Sequence, residues 1–600
     1  MPERTEVDGI PTFWAPAPGT FRAALHFRVG VADEAPPTRG ITHLVEHLAM
    51  FGSDARTYEA NGFVDLERCV FYATGDRDEV LAWLSRCAAA LADLPLDRLA
   101  TERRILRAEA AGGEGGGIQA RLLDLRFGGR GYGLANFREL GLRWLAEEDV
   151  AGWARTRFNR ANASLWMTDE PPASLELALP DGERNPPPPV EPMSGVSDRQ
   201  FVADGTGGVA VGGLGRRSTP LHAALMIGHE RLYQRLRLDL GLVYEAWSNY
   251  ERLGADHVHT LMGAECPDER AGQVAAEVWR VISELAESGV TAEELDRHRA
   301  LYSRSREEPD SVLGELDHWA SQELLGAPAV TSEDVARELE ETTPEQIASV
   351  VAEAFEDAIF IVASGVEGVE GFTRYEVEPP EAVGGTVYTY DPRFYGPGFE
   401  IRVGERGLTI IEHGKPTVTL EWADIVLGEW APADTLILMA RDGSWIELRF
   451  AAIQGDDARR DVLDHLPEGV LVPVGNLEAT EALQDLVKAM PDEAEVAAEL
   501  AALPRELGED EVPEAVLQYR HNDERRGLLA LTNERLIRWY LAGDDSDGET
   551  IPRGAIRGVE VRKRLLRAAV LVVEHEGAME VKVDDAAAAE SFAAKLDSEG

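Results

Sequence analysis

The feature that most limits how this chain can fold is the run of four prolines at residues 186–189, followed by Pro192. Proline supplies no backbone N–H and clashes with a preceding helical turn, so the run ends any helix and would interrupt a central strand; it reads as an exposed linker. It divides the first 375 residues into two similar lengths. Each half repeats one order, in which a strand-like alternating segment is followed by amphipathic helices and then by further strand and helix. The strand candidates are Phe21 to Val29 and Gln200 to Val211. Helical periodicity is plain in Asp78 to Leu91, Gln273 to Glu287 and Thr343 to Phe355. The expectation is an α+β pair of lobes, residues 1–190 and 191–377. A chain of 600 residues exceeds one hydrophobic core, and its length predicts about three to five domains.

Beyond the lobes the pattern changes. Residues 378–398 carry Pro, Gly and Tyr without a steady period and read as a linker. Short alternating segments follow at Phe399 to Arg402, Leu408 to Glu412, Thr417 to Glu421, Thr435 to Ala440 and Trp445 to Phe450, with Asp456 to Leu466 as a helix. They predict a small β-rich module over 399–475. Residues 476–512, rich in Glu and Ala, read as an acidic helical connector. A second module over 513–600 repeats the plan, with strands at Ala515 to Tyr519, Gly527 to Thr532, Leu536 to Leu541, Arg557 to Val561 and Ala568 to Glu574. A helix from Ala586 to Leu596 closes it.

Composition excludes several classes. A formal charge of −49 repels phosphate backbones and argues against nucleic-acid binding. The apolar runs are short and interrupted by charge, so no transmembrane segment is expected, and the first residues lack the basic start and apolar stretch of a secretory signal. A cytoplasmic protein is the expectation. Cys69, Cys87 and Cys266 are too few for a disulfide framework and lack the close pairing of a Cys-rich zinc site. The basic cluster Arg553, Arg557, Arg562, Lys563, Arg564 and Arg567 stands out in an acidic chain and offers an anionic lipid or other anionic partner a place to dock.

The chemistry concentrates in Gly40 to Met50. At 100° per residue, His43, Glu46 and His47 share one helix face, while Ile41, Leu44, Val45 and Leu48 share the other. Two imidazoles one turn apart can reach one zinc ion, and Glu46 beside them can take a proton from metal-bound water. A catalytic zinc needs a third protein ligand and an open position. Helix Asp97 to Ala111 offers Glu102 and Glu109, two turns apart on one face with Ile105 and Leu106.

These residues resemble the M16 metallopeptidases, the group of pitrilysin, insulin-degrading enzyme and mitochondrial processing peptidase. The likeness extends through Val29-Gly30-Val31-Ala32-Asp33-Glu34 and the block from Gly40 to Ser53, which is similar to Gly-x-x-His-x-x-Glu-His-x-x-x-x-Gly-Ser. Glu102 to Glu109 resembles the family's Glu-x6-Glu element, which implies Glu109 as the zinc ligand and Glu102 as a supporting carboxylate. The family's Asn-Ala-x-Thr segment is faintly visible in Asn61 to Asp65. In the second lobe, Glu230 to Arg237 and Gly241 to Tyr244 resemble a block in which the arginine and tyrosine hold substrate and stabilise the reacting carbonyl, implying those roles for Arg237 and Tyr244. The resemblance implies two M16-like lobes and a zinc endopeptidase holding one Zn2+ per chain, with peptide substrates. It also implies a homodimer or a complex with a related subunit, because family chambers use four lobes and this chain shows two. The two C-terminal modules resemble bacterial pleckstrin-homology-like domains, the closest phrase being Leu528 to Ile537. The rival reading is a catalytically silent peptide-binding or scaffold protein using these modules for interaction.

Overall fold

The computed structural model describes the chain except for residues 1, 52–58, 113–116, 194–197, 206, 376–380, 392–397, 432–434, 455–456, 473–485, 487–506, 508–510, 523–524, 541–548, 565–567, 576 and 597–600. The chain falls into two compact units, residues 1–378 with 441–443, and residues 379–440 with 444–600.

In the first unit, the first lobe runs through β1 (Glu3–Val7), β2 (Ile10–Trp14), β3 (Phe21–Phe27), α1 (Ile41–Met50), β4 (Glu59–Val64), β5 (Cys69–Gly75), α2 (Arg77–Ala92), α3 (Leu99–Gly112), α4 (Gly117–Phe127), α5 (Glu147–Arg157) and β6 (Ala163–Met167). The second lobe runs through β7 (Gln200–Gly205), β8 (Gly208–Arg216), α6 (Thr219–Leu232), a π-helical segment (Tyr233–Asp239), β9 (Ala246–Leu253) and β10 (His257–Glu265). It continues through α7 (Ala271–Ser288), α8 (Ala292–Arg306), α9 (Ser311–Leu325), α10 (Ser332–Glu341), α11 (Pro344–Ala354), β11 (Ile359–Ala363) and β12 (Thr373–Arg374). The sheets are ordered β1-β2-β6-β3-β5-β4 and β12-β7-β11-β8-β10-β9. From the second position onward they correspond strand for strand, including one parallel pair in each, β2 with β6 and β7 with β11. Among the described residues both end on an edge strand, β4 in the first lobe and β9 in the second.

One face of each sheet carries its own lobe's helices. Ile41, Leu44, Val45 and Leu48 of α1 join Val80, Leu84 and Leu91 of α2 and Val150 of α5 over Leu25, Phe27, Phe71 and Leu165. In the second lobe α6, α7 and α11 pack Leu225, Val278, Ile282 and Val351 over Val211, Val258 and Phe360. The opposite faces are covered by exchanged helices. α9, from the second lobe, seats Leu316 and Ala320 on Phe13 and Ala15 of the first, with Trp319 edge-on to Phe13 and Ser164 Oγ donating to Ala320 O at 2.9 Å. α4, from the first lobe, seats Leu122 and Leu125 on Ala210, Leu261, Ile359 and Ile361 of the second, and Arg126 pairs with Asp357 at 2.9 Å. Three helices of the second lobe open on capping boxes, Thr291 with Glu294, Thr331 with Asp334 and Thr343 with Gln346, each worth about 1 kcal/mol.

One strand expectation needs correction. Gln200 to Val211 is two strands, broken at Gly207, whose φ of +75° is a left-handed turn that L side chains avoid. The stretch from residue 204 to 208, Asp-Gly-Thr-Gly-Gly, carries no apolar side chain and three glycines, a turn signal in the sequence itself.

In the second unit, the expected linker already holds a strand. Thr386–Thr389 pairs with Phe399–Val403, and Gly407–Glu412 and Lys415–Glu421 complete that sheet. A four-residue strand with Val387 about half exposed leaves too little alternation to read. A second sheet joins Trp445–Arg449, Thr435–Ala440, Ile425–Ala431 and Leu471–Val472, and the helix Ala458–His465 adds Val462 to a core of Ile401, Leu408, Leu420 and Leu448. The last module is a seven-stranded sheet closed by the helix Ala586–Leu596; it adds Glu549–Pro552 and Ala578–Val583 to the five expected strands. Most of the expected connector lies outside the described residues. Its end belongs to this module, where buried Glu511 accepts from Thr532 Oγ1 at 2.7 Å and Arg535 Nε at 2.8 Å. In the basic cluster Arg553 meets Glu514 at 2.9 Å, Arg562 meets Glu560 at 2.8 Å, and Lys563 faces Glu590; residues 565–567 lie outside the described residues. No helix among the described residues is long and apolar enough to cross a membrane.

Candidate metal centre

The site begins with how α1 starts. Its first N–H groups have no intrahelical acceptor, and Gly40 at the N-cap, φ +98°, has no side chain to serve them. The buried carboxylate of Glu34 does so instead, accepting from Gly40 N and Thr42 N at 2.9 Å each while pairing with Arg39 at 3.0 Å. The apolar face of α1 is locked in the core, which fixes the direction of the opposite face.

On that face His43, His47 and Glu109 each offer a ligand atom, and these atoms lie within 4.8 Å of one another. α3 brings Glu109 across from α1, with His47 Nε2 3.8 Å from Glu109 Oε2. Both imidazoles turn Nε2 toward Glu46 Oε2, at 3.9 Å in each case. Each Nδ1 points at another carboxylate. His43 Nδ1 is 2.9 Å from Glu139 Oε1, and His47 Nδ1 is 3.6 Å from Glu102 Oε2. Glu102 is buried and steadied by Arg98 at 3.0 Å.

The donor set fits a metal. Two imidazoles and one carboxylate are a known ligand set for catalytic zinc, whose tetrahedral bonds place ligand atoms about 3.3–3.6 Å apart. The observed spacings are wider, 3.8 Å between His47 and Glu109 and up to 4.8 Å across the set, and Glu109, with its side chain 54% exposed, has room to move inward. Both outer nitrogens face acceptors, as metal-binding histidines require.

Glu46 lies beneath this cluster, 2% exposed. Burial pushes its carboxyl up to about 7, against the pull of His43 and with the help of Glu109 and Glu139. A proton acceptor poised near neutrality suits general-base work. Above it runs β4, where Gly62 leaves the room the carboxylate occupies: a Cβ there would lie 2.1 Å from Glu46 Oε1. Burial lowers His43, but the hydrogen bond and charge of Glu139, with Glu46 and Glu109, outweigh it and the net shift is upward. His47 is lowered by burial and by His43.

His43, Glu46, His47, Glu102 and Glu109 thus come together, whereas Arg237 and Tyr244 stand apart from them in this chain. Arg237, at the end of the π-helical segment, donates to Tyr244 O, and its guanidinium lies 4.4 Å from the Tyr244 ring centre and 5.6 Å from that of Tyr233. The Tyr244 residue is 76% exposed. Sequence reasoning missed Glu139, 96 positions from His43, and Gly62. A lone glutamate in a loop carries no period or motif, and only the fold brings it to the histidine.

A family model described as the peptidase M16 inactive domain matches residues 216–302, a stretch wholly within the second lobe that does not include His43 or His47. No curated protein matches the sequence. Among solved structures, a peptidase M16 inactive domain from Pseudomonas fluorescens is similar at 16% identity and a TM-score of 0.51, over 60% of this chain and 98% of that one. A chain of complex III2 from Candida albicans is similar at 13% identity and a TM-score of 0.50, over 60% and 94%. Over about 60% of its length the chain therefore shares the α+β fold of these M16-like structures.

Proposed function

We propose that this chain is a zinc-dependent endopeptidase, with His43, His47 and Glu109 as metal ligands and Glu46 as general base. One observation carries the reading: three ligand atoms within 4.8 Å of one another surround a buried carboxylate that titrates near neutrality. Zinc, when bound, supplies Lewis-acid polarisation of a carbonyl and makes water a better nucleophile at neutral pH. Glu46 takes the proton of the attacking water and returns it to the leaving amine. β4, the last strand of its sheet among the described residues and packed against α1, offers backbone N–H and C=O groups to an extended peptide beside Glu46, which favours peptides over other acyl substrates.

The description of the matched family as inactive applies to the lobe that lacks these donors. The exposed Arg237–Tyr244 pair supports assembly with a second copy or a related chain, whose first lobe it would serve at the reacting carbonyl. The C-terminal modules, read as pleckstrin-homology-like, serve as binding units.

The test is zinc content together with peptide-library digestion. Wild-type protein carries about one zinc and cleaves; Glu46→Gln keeps zinc and loses cleavage, while His43→Ala loses both. Wild-type turnover by Glu46→Gln, in a preparation free of other peptidases, overturns the mechanism. Zinc without cleavage by any assembly favours a silent peptide-binding protein.

A further inference from the structure

A metal-binding imidazole works only if one ring nitrogen presents its lone pair and the ring stays put. Which nitrogen does so is set by what the other one touches. In this chain His43 has its Nδ1 2.9 Å from Glu139 Oε1 and its Nε2 turned to the centre. A carboxylate can only accept there, so Nδ1 keeps its hydrogen and Nε2 is free. His47 has a looser version of the same arrangement with Glu102, at 3.6 Å and shared with Arg98.

The placement of Glu139 is over-determined. It precedes a short 3-10 turn, Leu140–Arg143, that is tied to the entry of α1 by Gly141 N donating to Arg39 O at 2.9 Å. Trp144 Nε1 donates to Pro37 O at 2.7 Å, and Arg107 of α3 donates to Leu142 O at 3.1 Å. Arg39 Nη1 stands 3.6 Å from Glu139 Oε1, the same oxygen that faces His43 Nδ1, and places a positive charge beside it. Gly40 completes the fit, because a Cβ at that position would fall 2.7 Å from Glu139 Cβ. The turn is thus fastened to both ligand-bearing helices, α1 and α3.

We infer that Glu139 is the positioning residue for the metal centre, fixing the tautomer and ring plane of His43 and so setting the affinity of the site for zinc. This inference rests on the proposed function and adds to it a residue outside the His-x-x-Glu-His and Glu-x6-Glu elements. Glu139 touches neither the reacting atoms nor the metal position.

The test uses the full chain and zinc itself, with affinity measured by competition against a chromogenic chelator for wild type, Glu139→Ala and Glu139→Gln. The alanine change is expected to weaken zinc binding about 10- to 100-fold. Glu139→Gln, which keeps an oxygen able to accept from Nδ1, recovers most of that loss. Thermal unfolding of the zinc-free proteins separates positioning from structure: a positioning role leaves the glutamine variant's midpoint at the wild-type value. Unchanged affinity in Glu139→Ala overturns the inference while leaving the zinc site intact. Equal weakening in both variants, with lowered zinc-free midpoints, also overturns it, since the role is then structural. A wild-type chain that binds no zinc sinks the proposed function, and this inference with it.

Discussion

Adding one methyl group at Gly62 tests the assignment of Glu46 without touching the base or any ligand. In Gly62→Ala the new Cβ would lie 2.1 Å from Glu46 Oε1, 2.9 Å from Cδ and 3.1 Å from Cγ, where ordinary non-bonded contacts are about 3.5 Å. Gly62 is not in the left-handed region, so alanine fits its backbone. The atom that must give way is the end of a side chain, and the carboxylate moves by on the order of 1 Å. A misplacement of that size costs about 100-fold in rate, or ~2.7 kcal/mol of activation free energy. Because His43, His47 and Glu109 are untouched, zinc content stays at the wild-type level. The assay is kcat on a quenched-fluorescent peptide taken from the library digest, with zinc measured on the same sample. Near-wild-type kcat with the carboxylate shifted in a crystal structure of the variant would refute Glu46 as base; near-wild-type kcat with the carboxylate unmoved refutes the packing argument.

The other predictions concern stability, access and assembly. Burial lowers His26 to about 4 and His259 to about 3, both from 6.5, so their neutral forms contribute fully above pH ~6.5, and that contribution is lost as pH falls through the folded-state values. Urea unfolding at pH 7, 6 and 5 should show stability falling by about 0.7 kcal/mol over the first step and about 1.2 kcal/mol over the second for each histidine, and a flat profile contradicts this. Cys69 and Cys87 are fully buried and Cys266 nearly so, and burial raises all three thiols; none should react with a disulfide reagent until denaturant is added, and one fast-reacting thiol in the native protein would show otherwise. Mixing inactive Glu46→Gln and Tyr244→Phe chains should restore part of the activity if lobes of two chains share a site; no rescue in subunits shown to exchange rules that out.

The residues of the candidate centre are legible in the sequence because each sits in a local pattern: His43, Glu46 and His47 on one helical face, Glu102 and Glu109 seven positions apart. The two lobes were legible for a similar reason, since each repeats its order of periodic segments around a proline run. What stayed hidden depends on long-range contact. Glu139 reaches His43 only because Gly141 binds Arg39, and Gly62 matters only because β4 crosses above Glu46. A short strand stays hidden where alternation spans four residues, as at Thr386–Thr389, whereas the turn at Gly207 is marked by the three glycines between residues 204 and 208. Ala578–Val583 was missed despite buried Met579, Val581 and Val583 alternating with exposed neighbours, a signal present in the residues and overlooked.

The exchange of α4 and α9 determines how the chain can be divided. The proline run looks like a place to cut, yet a fragment ending there keeps α4 without the sheet it covers and leaves the apolar surface around Phe13 and Trp166 bare. The complementary fragment has the mirror defect, with Ala210, Leu261 and Ile361 uncovered. Each fragment alone is therefore a candidate for aggregation. Produced together they carry matched surfaces, so the first 378 residues are suited to splitting into two complementing polypeptides and unsuited to yielding either lobe as a free-standing domain.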